Sequence, residues 1–310
     1  MTELSDRMAQ AVAHADTFPV WPDGEAPGAR QSHAHFTLEE QHTGETLLDR
    51  AVTGVRAPQI TVYQPDEPNG IGLLVMPGGS YRRVVLDKEG SALAPAFTDA
   101  GFTLFVMTYR LPGDGHAEGA DAPLADAQRA LRLVRHRAAE FGVTPEKIGV
   151  LGFSAGGHVA ASLATRYDEA ISAPLDDIDH LSARPAFLAL GYPVISMTPA
   201  IAHAGSRQQL LGEDPDSVHI KRYSPEQSLP EAMPEAMPPA FLFHAVDDPS
   251  VKVENSLAMF SALREKGVAA ELHLFEEGGH GFGIRDAEGL PAQAWPQLLM
   301  RWLARKLENH

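Results

Sequence analysis

Residues 148–157 read Ile-Gly-Val-Leu-Gly-Phe-Ser-Ala-Gly-Gly, and the reading of this stretch decides the fold. Ile148, Val150 and Leu151 form a short apolar run suited to a buried strand. Gly152-Phe153-Ser154-Ala155-Gly156 then fits the pattern G-x-S-x-G. In that pattern a serine stands on a sharp, strained strand-to-helix turn. The glycines two positions to either side are small because strand and helix pass close together there. The turn lifts the serine oxygen above the sheet and aims a helix N-terminus at any anion forming beside it. His158 to Thr165 continues as a small-residue helix, the context that such a turn requires.

The flanking sequence alternates between the two periodicities. Ile60 to Tyr63 alternates and reads as a strand. Ile71 to Met76 and Phe102 to Tyr109 are continuous apolar runs, with Gly90 to Ala100 helical between them. From Pro123 to Phe141, apolar residues fall at Leu124, Ala127, Leu131, Val134, Ala138 and Phe141, a helical spacing closed by Gly142. Phe187 to Ile195, Ala240 to Val246 and Ala269 to Phe275 read as further strands. Val253 to Lys266, stopped by Gly267, and Trp295 to Leu307 read as helices. Strands alternating with helices predict an α/β fold: a mostly parallel central sheet with helices on both faces.

Two segments stand outside this rhythm. Residues 1–58, with Pro19, Pro22 and Pro27, read as a loop-rich segment that could form part of a cap. Residues 59–310 then form the catalytic domain. Within it, 197–239 is a long proline-rich excursion between two strands, read either as a cap over the site or as a decorating loop. It contains Glu-Ala-Met-Pro twice, at 231–234 and 235–238.

The 310 residues suffice for one large domain. With 41 acidic and 25 basic residues, the formal charge is −16. That balance argues against nucleic acid and anionic membranes as partners. There is no cysteine, hence no disulfide, thiol nucleophile or thiolate metal site. Met1 to Asp16 lacks the apolar core of a signal peptide, and no run approaches the roughly 18 apolar residues of a membrane span. The chain as it stands reads as cytoplasmic; a removed signal would make it secreted or periplasmic. Self-association into a homo-oligomer stays open.

Acyl transfer from a serine needs a base, a group orienting that base, and donors for the oxyanion. In an open α/β sheet each belongs at the carboxyl end of a strand. His280 follows a strand directly, in Gly278-Gly279-His280-Gly281-Phe282-Gly283, and is the candidate base. The orienter should follow the preceding strand, in His244-Ala245-Val246-Asp247-Asp248-Pro249-Ser250-Val251. The Asp-x-x-Val spacing favours Asp248 over Asp247. His244, inside the strand, reads as a packed or hydrogen-bonded histidine. One oxyanion donor is the N–H of Ala155, after the serine. The other comes from Met76-Pro77-Gly78-Gly79-Ser80-Tyr81, either Gly79 or Ser80. Arg82 and Arg83 follow this loop; pairing with Asp87 or Glu89 competes with a role in substrate contact. Tyr81, Tyr192 and Met197 near strand ends read equally as pocket walls or as core. His33-x-His35 lacks an acidic partner at metal-binding spacing, and His116 and His203 sit in loops and carry no signal. The chemistry requires no metal or organic cofactor.

Pro77-Gly78-Gly79-Ser80-Tyr81-Arg82, Gly152 to His158, Val253-Glu254-Asn255-Ser256 and Gly279-His280-Gly281 carry a resemblance. The sequence resembles the α/β-hydrolase superfamily, and within it bacterial esterases of the acetyl-xylan-esterase and feruloyl-esterase-like group, from about residue 50 onward. The resemblance implies hydrolysis of short acyl esters, often acetyl groups on plant polysaccharides, with Ser154, Asp248 and His280 as the triad. The partner would be a small-molecule or oligosaccharide ester. The oxyanion loop opens on Pro77 and ends on Ser80, and the elbow holds Phe153; both depart from the hormone-sensitive-lipase branch. Two rival readings remain: a peptidase of the prolyl-oligopeptidase kind, whose customary propeller domain the first 58 residues cannot supply, and a non-catalytic hydrolase-fold binding protein.

Overall fold

The computed structural model describes residues 2–41, 48–230 and 237–307. Its strands are β1 (Asp16–Pro19), β2 (Thr37–Glu40), β3 (Arg50–Thr53), β4 (Gln59–Tyr63), β5 (Gly70–Met76), β6 (Val84–Val85), β7 (Thr103–Met107), β8 (Val143–Phe153), β9 (Leu188–Gly191), β10 (Ala240–Ala245) and β11 (Ala270–Phe275). The helices are α1 (Thr2–Ala13), α2 (Ala94–Thr98), α3 (Ala122–His136), α4 (Ser154–Arg166), α5 (Ala204–Leu211), α6 (Ser217–Arg222), α7 (Glu254–Glu265) and α8 (Trp295–Leu307). Eight strands form one sheet in the order β1-β4-β7-β5-β8-β9-β10-β11. From β7 to β11 every neighbour is parallel. Only the β1 and β4 edge is antiparallel.

Side chains alternate across a strand, so each buried strand feeds two cores. In β5, Leu74 and Met76 enter one core while Leu73 and Val75 enter the other. In β8, Ile148 and Val150 face the first, Leu151 and Phe153 the second. The first core is closed by Leu131 and Val134 of α3, Val159 and Leu163 of α4 and Met259 of α7. The second is closed by Phe97 of α2 and by Trp295, Leu299 and Trp302 of α8. Strands buried on both faces read as unbroken apolar runs, which explains why the sequence showed them plainly.

The first 58 residues differ from the loop-rich reading. They hold α1, β1, β2 and β3. β1 pairs with β4 in the main sheet, so no structural boundary falls at residue 58. Trp21 of the same segment is buried and donates its ring N–H to Asp126 of α3 at 2.8 Å. A second, three-stranded sheet joins β2, β3 and β6. The excursion after β9 is also more ordered than a loop. It contains α5 and α6, and Asn255 of α7 pins its start. The fully buried Asn255 amide accepts from the N–H groups of Ile195 and Ser196 and donates to the carbonyls of Ile201 and Lys252. The first Glu-Ala-Met-Pro unit and the start of the second lie outside the described residues. No helix among the described residues is long and apolar enough to cross a membrane.

Candidate active site

β8 ends at Phe153 and α4 starts at Ser154 with no intervening loop. That junction forces Ser154 to φ +50°, a left-handed value rare for a side-chain-bearing residue. The flanking glycines are required by contact. A Cβ at Gly156 would lie 2.0 Å from the Met76 carbonyl oxygen, and one at Gly152 2.3 Å from that of Gly156. The helix thus starts in direct contact with the end of β5.

His280 follows β11 and Asp248 follows β10, and both reach the serine at the carboxyl edge of the sheet. Ser154 Oγ donates to His280 Nε2 at 2.9 Å. His280 Nδ1 donates to Asp248 Oδ2 at 2.7 Å. The carboxylate fixes the tautomer, because Nδ1 must carry the proton that faces it. The Asp248 side chain is wholly buried, while 22% of the His280 side chain stays exposed. Asp248 Oδ1 accepts two further bonds, from the N–H groups of Ser250 and Val251. These bonds are the physical basis of the Asp-x-x-Val preference. Asp247 is exposed and steadies the histidine loop instead, its Oδ1 accepting the Gly279 N–H at 2.8 Å.

Asp248 carries a second imidazole that the sequence did not reveal. His244 Nε2 lies 3.1 Å from Asp248 Oδ2 and 3.0 Å from the Val251 carbonyl oxygen. Both neighbours are acceptors, so Nε2 carries the proton. Its Nδ1 takes a bond from Ser256 Oγ of α7. Burial by itself would push the Asp248 carboxyl up. The bonds from His244 and His280, the histidine charge and the Val251 N–H outweigh burial and hold it well below the usual carboxylate range. The group is therefore a fixed anion.

The loop after β5 lies against the serine. A Cβ on Gly78 would stand 2.8 Å from Ser154 Cβ. Gly79 adopts φ +134°, and a Cβ there would strike the Arg83 carbonyl oxygen at 2.1 Å. The N–H groups of Gly79 and Ser80 have no protein partner among the described residues. Ala155 is fully buried in the first turn of α4, where an amide lacks an intrahelical acceptor. The Gly78 N–H is already taken by buried Glu89, at 2.7 Å. The Tyr192 hydroxyl accepts from the Gly283 N–H at 3.1 Å, and burial first, then the nearby Glu89 carboxylate, pushes its pKa well above the usual phenol range. Glu89 thus lies between the loop after β5 and the loop of His280, where a Cβ on Gly281 would stand 3.8 Å from its Oε1. No local sequence signal marks it.

For Tyr81 and Tyr192 the structure gives the core alternative. Both are buried, at 1% and 0% exposure. The Tyr81 hydroxyl donates to His158 Nδ1 at 2.7 Å, and His158 Nε2 donates to the Tyr223 carbonyl. Tyr192 packs edge-on behind His280, ring centroids 5.2 Å apart. Met197 is likewise buried. Ser80, Tyr81, Ser154 and Tyr192 are the non-glycine residues with positive φ among the described residues, and all four surround the site. Arg82 does line a cavity, together with Gly79 and Ser80. Among the described residues neither Arg82 nor Arg83 pairs with Asp87 or Glu89: Arg50 of β3 holds Asp87 through two bonds of 2.9 Å, and Glu89 accepts the Gly78 N–H.

This geometry can move a proton from the Ser154 hydroxyl to an imidazole and hold the imidazolium that results. Set against known proteins, residues 73–263 match the BD-FAE family model. The chain belongs to the BD-FAE family. It is 31% identical over 252 residues to an acetylxylan esterase of Xylanibacter ruminicola, covering 80% of this chain and 48% of that protein. It is 33% identical over 216 residues to endo-1,4-beta-xylanase B of Butyrivibrio fibrisolvens, covering 70% of this chain and 33% of that protein. The chain therefore spans at most about half the length of these curated relatives. The crystal structure of an acetyl ester-xyloside bifunctional hydrolase from Caldicellulosiruptor lactoaceticus superposes with a TM-score of 0.72 at 32% identity, covering 94% and 96% of the two chains. The fold is that of the α/β-hydrolases.

Proposed function

We propose that this protein is a serine carboxylesterase acting on short acyl esters, with acetylated carbohydrate of the xylan type as its substrate class. The observation that carries the reading is the continuous hydrogen-bonded path Ser154–His280–Asp248, at 2.9 and 2.7 Å, at the carboxyl ends of parallel strands. Ser154 Oγ attacks the acyl carbonyl while His280 Nε2 takes its proton. Asp248 holds the tautomer and stabilises the imidazolium. The N–H of Ala155 and that of Gly79 or Ser80 receive the oxyanion; losing one such donor costs about 3 kcal/mol of barrier. His280 then protonates the leaving alcohol, and water repeats the sequence on the acyl-enzyme. The esterase and xylanase names of the relatives support the carbohydrate substrate. Residues 197–230 form one wall of the site in this reading, through His203 and Gly205.

The test is an acyl-length series of aryl esters, run beside acetylated xylo-oligosaccharides, a feruloyl ester and a peptide amide. A sharp preference for acetyl and release of acetate from the oligosaccharide are expected. Equal turnover out to long chains would remove the deacetylase reading. Cleavage of the amide in preference to the ester would favour the peptidase. A folded protein that neither turns over esters nor gains mass with an organophosphate would favour the binding-module rival.

A further inference from the structure

Beside the loop that touches Ser154 lies a cavity of about 300 Å³, walled by Gly79, Ser80, Arg82, Arg83, His203 and Gly205. The chain carries a formal charge of −16, yet the ionisable side chains of this wall are two arginines and a histidine. Elsewhere the buried arginines have found their anions: Arg110 holds Asp126 and Glu118, Arg129 holds Asp176, and Arg166 holds Asp121. Arg82 and Arg83 are exposed and make no ion pair or side-chain hydrogen bond among the described residues. Their backbone N–H groups both donate to the Gly79 carbonyl, at 3.0 and 3.2 Å. The turn that shapes the candidate oxyanion loop therefore also delivers both guanidinium groups.

The opposite wall adds to the same potential. α5 opens here, with His203 as its cap and Gly205 in its first turn. His203 Nδ1 accepts the Ser206 N–H at 3.2 Å, which leaves the proton on Nε2 as a free donor. A Cβ at Gly205 would stand 3.8 Å from an Arg82 nitrogen and 3.3 Å from the His203 ring. The helix start, a free imidazole N–H, an Arg82 guanidinium nitrogen and the unpaired Arg83 thus border one small volume. An isolated helix end would mean little; unpaired arginines facing it make a site.

We infer that this cavity is a subsite for a carboxylate on the ester substrate. The inference rests on the carboxylesterase reading and deepens it by naming a substrate class: esters bearing an anionic group on either the acyl or the alcohol side. An acidic protein repels such substrates at long range, so a local cluster of cations is what admits them. Arginine suits such a subsite because its planar fork binds a carboxylate through two parallel bonds.

Two pairs of esters distinguish the two sides. The acyl-side pair is 4-nitrophenyl hydrogen glutarate against 4-nitrophenyl hexanoate. The alcohol-side pair is an acetylated methyl glucuronide against the equally acetylated methyl glucoside. Each is measured with the wild type and with the double variant Arg82→Gln/Arg83→Gln. In one pair, the charged-to-neutral ratio of kcat/KM should be at least about tenfold higher in the wild type than in the variant, and the gap should shrink as salt is added. A ratio that is the same in both proteins for both pairs overturns the subsite while leaving the esterase reading intact. A folded wild type that hydrolyses none of the four esters brings down both together.

Discussion

Asparagine at position 248 would keep the shape of the side chain and invert its hydrogen bonding. Asp248 Oδ1 accepts two backbone N–H groups, from Ser250 and Val251. Those donors demand an oxygen, so the amide can sit only one way round. Its NH₂ must then occupy the Oδ2 position, between His280 Nδ1 and His244 Nε2. Both imidazoles now present N–H to N–H. His244 keeps its proton on Nε2, which still donates to the Val251 carbonyl. His280 escapes the clash by placing its proton on Nε2, against Ser154, where it can no longer take one. The loss for this wrong-tautomer state is about 10⁴-fold in kcat, or about 5.4 kcal/mol at 1.36 kcal/mol per decade. Asp247→Asn is the control. Its exposed Oδ1 accepts only the Gly279 N–H, and an amide oxygen accepts the same bond. It should retain activity within about fivefold, the worth of roughly 1 kcal/mol. The assay is kcat/KM on 4-nitrophenyl acetate at neutral pH, with circular dichroism to check folding. Asp248→Asn within tenfold of wild type, or no worse than Asp247→Asn, would refute the assignment of the orienting carboxylate.

Further expectations concern the frame around the site. Gly156→Ala drives a methyl into the Met76 and Pro77 carbonyls, so it should cost at least about 2 kcal/mol and lower the melting temperature by several degrees; an unchanged melt would show that the β5–α4 contact is loose. Asn255→Ala strands the buried N–H groups of Ile195 and Ser196 and the half-buried Ile201 carbonyl at the start of the excursion, and a loss of at least about 3 kcal/mol in urea unfolding is expected; a neutral effect would mean that water replaces the amide there. Burial pushes the His158 pKa down to about 4, only partly offset by its bond to the Tyr223 carbonyl. The unfolded chain binds that proton near pH 6.5 and the folded chain does not, so stability falls as pH drops from 6.5 to 4, by up to about 3 kcal/mol from this group. His158→Gln should therefore lose less of its urea midpoint across that window than the wild type; parallel curves would refute a buried neutral imidazole.

What could be read from sequence follows from where the stabilising contacts are local. β5, β7, β8 and β10 are buried on both faces, so they appear as apolar runs whatever surrounds them. α1, β1 and β2 have no such signature. β2, Thr-Leu-Glu-Glu, is exposed along its length and exists because β3 pairs with it. β1 exists because β4 offers an edge. At the site, Ser154 and His280 announce themselves through glycine-rich turns that the backbone cannot form otherwise. Asp248 is separable from Asp247 because its turn bonds are local, at two and three residues. Glu89 reaches the Gly78 N–H across eleven residues, where spacing carries no information, whereas His244 stands only four residues before Asp248 but inside β10, where a histidine reads as packing. Tyr81 and Tyr192 stand near strand ends as pocket residues would, but their hydroxyls are engaged beneath the surface.

The ring of left-handed side-chain-bearing residues has a consequence for anyone who wishes to harden this protein. Of these, Ser80 and Ser154 sit where glycine would relax the backbone without emptying buried ring volume, as it would at Tyr81 and Tyr192. Thermal selection applied without a turnover screen will therefore be drawn to these positions first. The sturdier variants that it returns will have slackened the geometry around the Ser154 hydroxyl.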